Sequence, residues 1–250
     1  MIRIITSTLV FTSALLVSAS YPSIAQAQTL AAPECSYSFG TGDFRWCASA
    51  NGTVVHLASP ALVEHIRVGT TLEGYVVCAA GIAPVYDLGA VADGWDAPLL
   101  IGTPTQTGVT IQRTTLDGRW TLRQLLRGNR NARTVSIAMT LTNNFEPLAN
   151  VQILRTADID MDGTLTGDTF DKSARSVWAR QVRALVLSPG TLDVRAEARL
   201  SSSLAPRTCL PLPHTRAPVT GTDLAGSVRY DLGTLGSGAA RTVSVVYRLQ

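Results

Sequence analysis

The sequence predicts an all-β fold, a single domain built as an antiparallel β-sandwich. Runs of β-branched residues recur along the 250 residues with hardly any helical periodicity between them. One hairpin also shows two faces of opposite polarity when its strands are paired. The runs are separated by dipeptides that tolerate the positive φ of tight hairpin turns, namely Asn51-Gly52, Asp93-Gly94, Asp117-Gly118 and Asp162-Gly163.

The hairpin around Asp117-Gly118 gives the sharpest structural expectation. A two-residue turn at this dipeptide places Thr115 opposite Trp120 and fixes the register outward along both strands. One face of the pair is then mostly polar. The opposite face is mostly apolar and contains Val109, Ile111, Arg113, Thr115, Trp120, Leu122, Gln124 and Leu126. Such a division is typical of an antiparallel pair with one face in the core.

The other elements follow from the same alternation and turn spacing. A short helix is expected at 171–180, where Ser173 and Ser176 precede Val177. Residues 204–218 carry four prolines and are expected to form an extended loop across the domain, because too few residues follow for a separate core. The further strand candidates are 53–57, 72–78, 133–142, 149–157, 182–187, 191–198, 227–232 and 241–249.

Composition and charge narrow the function classes. The chain is 46% hydrophobic and 16% charged, which is enough apolar content for a packed core. Its formal net charge is only +3, and no basic run is interleaved with aromatic residues, so we expect no nucleic-acid partner. Lys172 is the single lysine, and no glycine-rich phosphate motif precedes it, which argues against a phosphate-cradling lysine.

The first 27 residues have the pattern of a secretory signal peptide. Arg3 precedes an apolar run over 4–19, and Ala25 and Ala27 supply the small residues that a signal peptidase accepts. The run is too short to span a bilayer, and no later segment is long and apolar enough to do so. We therefore expect residues 28–250 to form one secreted or periplasmic domain without an integral membrane segment.

Four cysteines lie in this expected mature chain: Cys35, Cys47, Cys78 and Cys209. An even number in an oxidising compartment indicates two disulfides, and three pairings are possible. We favour Cys35–Cys47 as a local link and Cys78–Cys209 as a long-range one. Zinc binding by these cysteines is disfavoured, because no Cys-x-x-Cys spacing occurs.

One acidic segment has the pattern of a cation site. Five of the 13 aspartates fall within residues 158–171, without a basic residue until Lys172. The alternation of Asp158, Asp160 and Asp162 places three carboxylates on one side of a continuing strand, where they repel one another. Gly163 permits a sharp turn, so Thr164 and Asp168 can add oxygen ligands. These five oxygen-bearing residues predict a Ca²⁺ site, because calcium accepts hard oxygen ligands in irregular geometry.

A solvated Asp-Gly turn is the alternative. Aspartate is frequent in turns because its carboxylate accepts hydrogen bonds from nearby backbone N–H groups. Arg155, Arg175 or Arg180 would then neutralise the acidic segment without a metal.

Two resemblances accompany this segment. Its Asp-x-Asp-x-Asp-Gly core resembles the first half of EF-hand and dockerin calcium loops, but the twelfth position holds Thr169 and the carboxylate of Asp168 stands at the eleventh. A strand is also expected before the segment, where an EF-hand has a helix. Residues 143–179 resemble a segment of exported bacterial proteins of unknown function, in which it joins two strands of a β-sandwich. The resemblance implies fold and export, and it transfers no catalytic residue.

The sequence favours an exported, non-catalytic β-sandwich with a binding or structural role toward an envelope or extracellular ligand. The absence of a Gly-x-Ser-x-Gly or His-Glu-x-x-His motif motivates this choice. The alternative is a secreted carbohydrate-active enzyme, a hydrolase or an epimerase. That alternative requires two candidate acids or bases to meet in a pocket beside Trp95 or Tyr86, and the candidates are His56, His65, Glu73, Asp87 and Asp158.

Overall fold

A computed structural model describes residues 34–60, 62–66, 73–164, 167–190, 195–201, 207–209, 217–221 and 223–250. The expected signal peptide at 1–27 lies outside these residues. Within them, no helix has the length and apolar character needed to cross a membrane.

The described chain is almost entirely strand. The strands are β1 (Tyr37–Thr41), β2 (Phe44–Ala48), β3 (Val54–Ala58), β4 (Glu73–Ala79), β5 (Ile82–Asp87), β6 (Ala92–Asp93), β7 (Leu99–Leu100), β8 (Gly108–Thr114), β9 (Trp120–Asn129), β10 (Thr134–Asn143), β11 (Leu148–Asp158), β12 (Thr169–Lys172), β13 (Val177–Arg180), β14 (Ala184–Pro189), β15 (Arg195–Ser201), β16 (Val219–Thr220), β17 (Ala225–Leu235) and β18 (Ala240–Leu249). A single 3₁₀ turn at Met161–Gly163 follows β11.

Two large antiparallel sheets pack as a sandwich. One has nine strands in the order β16-β12-β13-β14-β18-β10-β9-β8-β7, and the other has six in the order β15-β17-β11-β4-β5-β6. Alternate residues of both sheets face a common apolar core that includes Ile137, Val245 and Ile153. The predicted all-β sandwich is therefore confirmed.

A third sheet, β1-β2-β3, packs against the nine-stranded sheet. Trp46 on β2 contacts Gly128 on β9 so closely that a Cβ at Gly128 would lie 2.1 Å from the indole nitrogen. Because Gly128 has no side chain, the small sheet can approach β9 of the nine-stranded sheet closely.

The hairpin prediction is confirmed in register. Val109 pairs with Leu126, and Thr114 with Thr121. The N–H of Thr115 donates to the carbonyl of Trp120 at 2.9 Å. Every residue expected on the apolar face is buried, including Arg113 and Gln124, whose polar groups meet partners inside the sandwich.

The expected helix at 171–180 is wrong. The segment forms the end of β12, a tight turn and β13, with Lys172 opposite Val177. The hydroxyl of Ser173 accepts the N–H of Ser176 at 3.0 Å, while the N–H of Ser173 donates to the carbonyl of Ser176 at 2.8 Å. These local hydrogen bonds favour a turn over a helix.

Both expected disulfides are present. Cys35–Cys47 joins the residues before β1 to β2 across a separation of 12 residues. Cys78–Cys209 joins β4 to the segment at 207–209 across a separation of 131 residues. Most of the proline-rich loop predicted around Cys209 lies outside the described residues.

Candidate metal centre

Three aspartates meet where β11 ends and β17 begins. Asp158 is the last residue of β11 and pairs with Ala225 on β17, while Asp160 follows two residues later. Asp223 precedes β17 by two residues. A carboxylate oxygen from each of the three lies within 4.8 Å of the others, Asp158 and Asp160 being buried and Asp223 exposed. The antiparallel pairing of β11 and β17 therefore brings two distant acidic segments together.

Asp168 is not part of this 4.8 Å group, but its charge acts on both Asp158 and Asp160. We call the four residues the acidic cluster. One oxygen of Asp168 accepts the N–H of Met161 at 3.0 Å. Among the described residues, Asp158, Asp160 and Asp168 each have one buried carboxylate oxygen without a hydrogen-bond partner. The exposed fractions of these residues are 3%, 1% and 2%. Buried unpartnered oxygens are costly, so this arrangement calls for a proton or a cation.

The pKa values of the cluster reflect the same imbalance. Burial, together with the neighbouring charges of Asp160 and Asp223, raises the pKa of Asp158 to about 8. Burial and the charges of Asp223 and Asp168 raise the pKa of Asp160 to about 7. Burial is also the main cause that raises the pKa of Asp168 to about 6. Burial and like charges therefore oppose the ionisation of Asp158, Asp160 and Asp168 unless positive charge enters the site.

Asp162 has a different environment from the cluster. Its carboxylate forms an ion pair with Arg183 and accepts the N–H of Val182 at 2.9 Å. Burial would raise the pKa of Asp162, but the hydrogen bonds from Arg183 and Val182 hold it below its usual value. A guanidinium therefore neutralises this one member of the predicted ligand set, while the structure brings Asp158, Asp160 and Asp168 together.

Thr164 lies in the loop beside the cluster. Its hydroxyl donates to the carbonyl of Met161 at 3.2 Å and accepts from the amide of Gln181 at 2.6 Å. The hydroxyl therefore stabilises the loop that carries the acidic residues.

His65 supports the acidic loop from a second side. It is fully buried, and its Nε2 lies 3.1 Å from the carbonyl of Ser59. Its Nδ1 accepts the N–H of Asp162 at 3.2 Å, and its carbonyl accepts the N–H of Asp160 at 3.1 Å. These bonds hold Asp160 and Asp162 against the 62–66 segment, so His65 is a positioning residue for the cluster.

Arg155, one of the three arginines that were expected to neutralise the acidic segment, is engaged elsewhere. Arg155 donates to both oxygens of Glu73, at 2.5 Å and 2.7 Å, in the centre of the sandwich. Within the described chain, none of the ion pairs joins a basic side chain to Asp158, Asp160 or Asp168.

Sequence reasoning missed Asp223, which lies 63 residues from Asp160. The sequence signal for Asp223 was its position shortly before the strand predicted at 227–232. That position indicates a role in the cluster only once this strand is known to pair with β11.

The five candidate acids and bases of the alternative function lie in separate environments. Asp158 belongs to the acidic cluster and His65 lies against its loop, while the other three have ionisable partners. Glu73 is paired with Arg155, and Asp87 with Arg113, all four being buried. His56 is paired with Glu64 on the small sheet. Glu73 and Asp87 thus lie in the core and His56 lies on the small sheet. Trp95 and Tyr86 are buried as well.

No family model matches the chain, and no curated protein matches it. Solved structures do share its fold. A bacterial glucoamylase in complex with acarbose superposes with a TM-score of 0.64 at 8% identity, over 92% of this chain and 34% of the glucoamylase. A candidate aldose 1-epimerase from Escherichia coli K12 gives 0.54 at 9% identity, over 86% of this chain and 98% of that protein.

An α-N-acetylgalactosaminidase from Bifidobacterium bifidum, in complex with GalNAc, gives 0.51 at 11% identity, over 86% of this chain and 36% of the enzyme. The chain thus spans about a third of the two glycosidases and nearly the full length of the E. coli protein. At these identities the likeness establishes a shared β-sandwich fold.

Proposed function

We propose that this protein is an exported β-sandwich module that binds Ca²⁺ at the acidic cluster and has a binding or structural role. The observation that carries the proposal is that Asp158, Asp160 and Asp223 each place a carboxylate oxygen within 4.8 Å of the others. Two of these residues, Asp158 and Asp160, also have a buried oxygen without a hydrogen-bond partner. A divalent cation would convert mutual repulsion into attraction. It would also fasten the loop after β11 to the start of β17.

Calcium fits these ligands better than other metals do. The acidic cluster offers oxygen atoms only, which suits hard cations and not zinc or copper. Carboxylates from two separate segments give an irregular arrangement, and calcium tolerates such geometry better than magnesium does. The two disulfides support an oxidising compartment, where calcium is a common structural ion.

Calorimetric titration with CaCl₂ and thermal unfolding with CaCl₂ or a chelator test the cation site. At a hundredfold excess of calcium over its Kd, the folded state gains about 2.7 kcal/mol, which corresponds to an increase in Tm of about 5–10 °C in a domain of this size. Asp160→Asn should abolish the calcium effect. Asp162→Asn is the matched control, because Asp162 is paired with Arg183 and should leave calcium binding in place.

An unchanged Tm together with no heat of binding would overturn the calcium assignment. Loss of binding in Asp162→Asn but not in Asp160→Asn would show that the wrong carboxylates had been chosen.

A carbohydrate-active enzyme is the second candidate, and the fold shared with the three solved structures favours it. The burial of Glu73 and Asp87 in ion pairs argues against these two residues as the acids of such a reaction. Hydrolysis of aryl glycosides and polarimetry of freshly dissolved aldoses test both reactions. Turnover that Asp158→Asn abolishes, in protein that still unfolds cooperatively, would favour the enzyme over the binding module.

A further inference from the structure

Two exposed apolar side chains lie on the loops around the acidic cluster. Leu62 is 91% exposed and Val182 is 87% exposed, the highest values among the large hydrophobic residues in the described part of the chain. Leu62 belongs to the segment that His65 joins to Asp160, and Val182 donates its N–H to Asp162. Asp162 bonds both segments, so the two apolar tips flank the same loop.

Leu62 occupies a conformation that L-residues other than glycine and asparagine rarely adopt. Its φ is 86°, in the left-handed region. This backbone conformation raises the free energy of the folded state when the residue is a leucine. The Leu62 side chain does not offset that cost by burial, because it is almost fully exposed to water. A leucine here is better explained by a contact with another apolar phase than by folding stability.

A shallow cavity of about 480 Å³ opens next to Val182. Its lining includes the exposed guanidinium of Arg180 and the polar side chains of Thr169 and Gln181. Within the described residues, no ion pair involves Arg180. The Thr169 hydroxyl is hydrogen-bonded to Thr220 and the Gln181 amide donates to Thr164, so the guanidinium of Arg180 is the group in this cavity that can pair with a phosphate.

We propose that this face docks on an anionic phospholipid bilayer when the acidic cluster holds its cation. A lipid phosphate would contact Arg180 in the cavity, while Leu62 and Val182 enter the interfacial region. Without the cation, the negative charge of the acidic cluster repels anionic headgroups. A divalent cation offsets two of the four carboxylate charges, so the repulsion is weaker and Arg180 can contact a lipid phosphate. The inference rests on the proposed calcium site.

Co-sedimentation of the full chain with phosphatidylglycerol–phosphatidylcholine vesicles, with calcium or with chelator, tests the docking. We expect binding only with calcium and only to vesicles that contain phosphatidylglycerol. Val182→Ser should weaken vesicle binding about tenfold because a buried apolar side chain is lost, and Arg180→Gln should weaken it about fivefold because a basic contact is lost. Leu62→Ser should act in the same direction as Val182→Ser.

Leu116→Ser is the matched control, since Leu116 is 73% exposed on the distant β8–β9 turn. Calorimetry on each variant separates the two proposals. Calcium binding without vesicle binding overturns the docking and leaves the cation site intact, whereas no calcium binding overturns the cation site itself. Equal vesicle binding by wild type, Val182→Ser and Arg180→Gln shows that another face docks. Complete competition by soluble glycerol phosphate would show that a free phosphate ester is the ligand and would also overturn bilayer docking.

Discussion

Replacing Arg155 with methionine tests the polar centre of the sandwich. Arg155 lies on β11 and is fully buried, as is its partner Glu73 on β4. Glu73 also accepts the hydroxyl of Tyr247 at 2.5 Å and the N–H of Val54 at 2.6 Å. The guanidinium further donates to Gln124 at 2.7 Å. This network joins the two large sheets to the start of β3.

The Arg155→Met variant leaves the Glu73 carboxylate in the core without its countercharge. Breaking a buried pair on one side costs about 3–5 kcal/mol, which lowers Tm by roughly 6–20 °C in a domain of this size. Burial already raises the pKa of Glu73 against the opposing effect of Arg155, and in the variant it should rise further. A raised native pKa means that stability is lost as pH increases, so the defect should be larger at pH 8 than at pH 5.

Urea unfolding at both pH values, followed by circular dichroism, measures the effect. The double variant Glu73→Gln with Arg155→Met should recover part of the lost stability, because it removes the uncompensated charge. If the Arg155→Met variant is within about 1 kcal/mol of wild type at both pH values, the buried pair does not stabilise the core as described, since Glu73 must then find another countercharge or water.

Three further predictions concern stability. Cys78→Ser should lower the free energy of unfolding by about 5 kcal/mol and Cys35→Ser by about 3 kcal/mol, because the first disulfide closes the longer loop; denaturant titration of both variants checks this ranking, and a reversed order would contradict the chain-entropy argument. Gly118→Ala should lower the free energy of unfolding by about 1 kcal/mol, because it adds only the strain of a φ of 73°. Gly52→Ala should lower it several times more, because the new Cβ would lie 2.4 Å from the Gln124 amide. Equal losses of stability in thermal unfolding would show that the Gln124 side chain moves freely. Without calcium, Tm should fall between pH 5 and pH 8, because the raised pKa values of Asp158, Asp160 and Asp168 mean that ionisation of these groups destabilises the folded state. The gain in Tm on adding calcium should therefore grow with pH, and a gain that shrinks with pH would count against the cluster as the binding site.

The local sequence pattern was enough to predict how two strands pair wherever a single turn fixed their register. The Asp117-Gly118 turn determines the β8–β9 pairing, and alternation then assigns each residue to the core or to the surface. The even number of cysteines and the expected compartment predicted two disulfides, and the pairing that we favoured among the three possible ones is the observed one. The segment at 171–180 was misassigned because the hydrogen bonds of Ser173 decide between a turn and a helix there, and composition does not reveal them.

The acidic segment was only partly predictable. Its density of aspartate identified Asp158, Asp160 and Asp168, whose carboxylates do cluster. Alternation along a strand placed Asp162 with them, but the chain turns at Met161–Gly163, and that turn directs Asp162 toward Arg183. Asp223 depends on the pairing of β11 with β17, a long-range contact that no local pattern in the sequence encodes.

A crystal structure of the protein grown with calcium would show whether the acidic cluster binds the ion. We expect an ion with oxygen ligands at about 2.3–2.6 Å, supplied by Asp158, Asp160 and Asp223. Protonated carboxylates hydrogen-bonded to each other at that position, with no ion at saturating calcium, would contradict it.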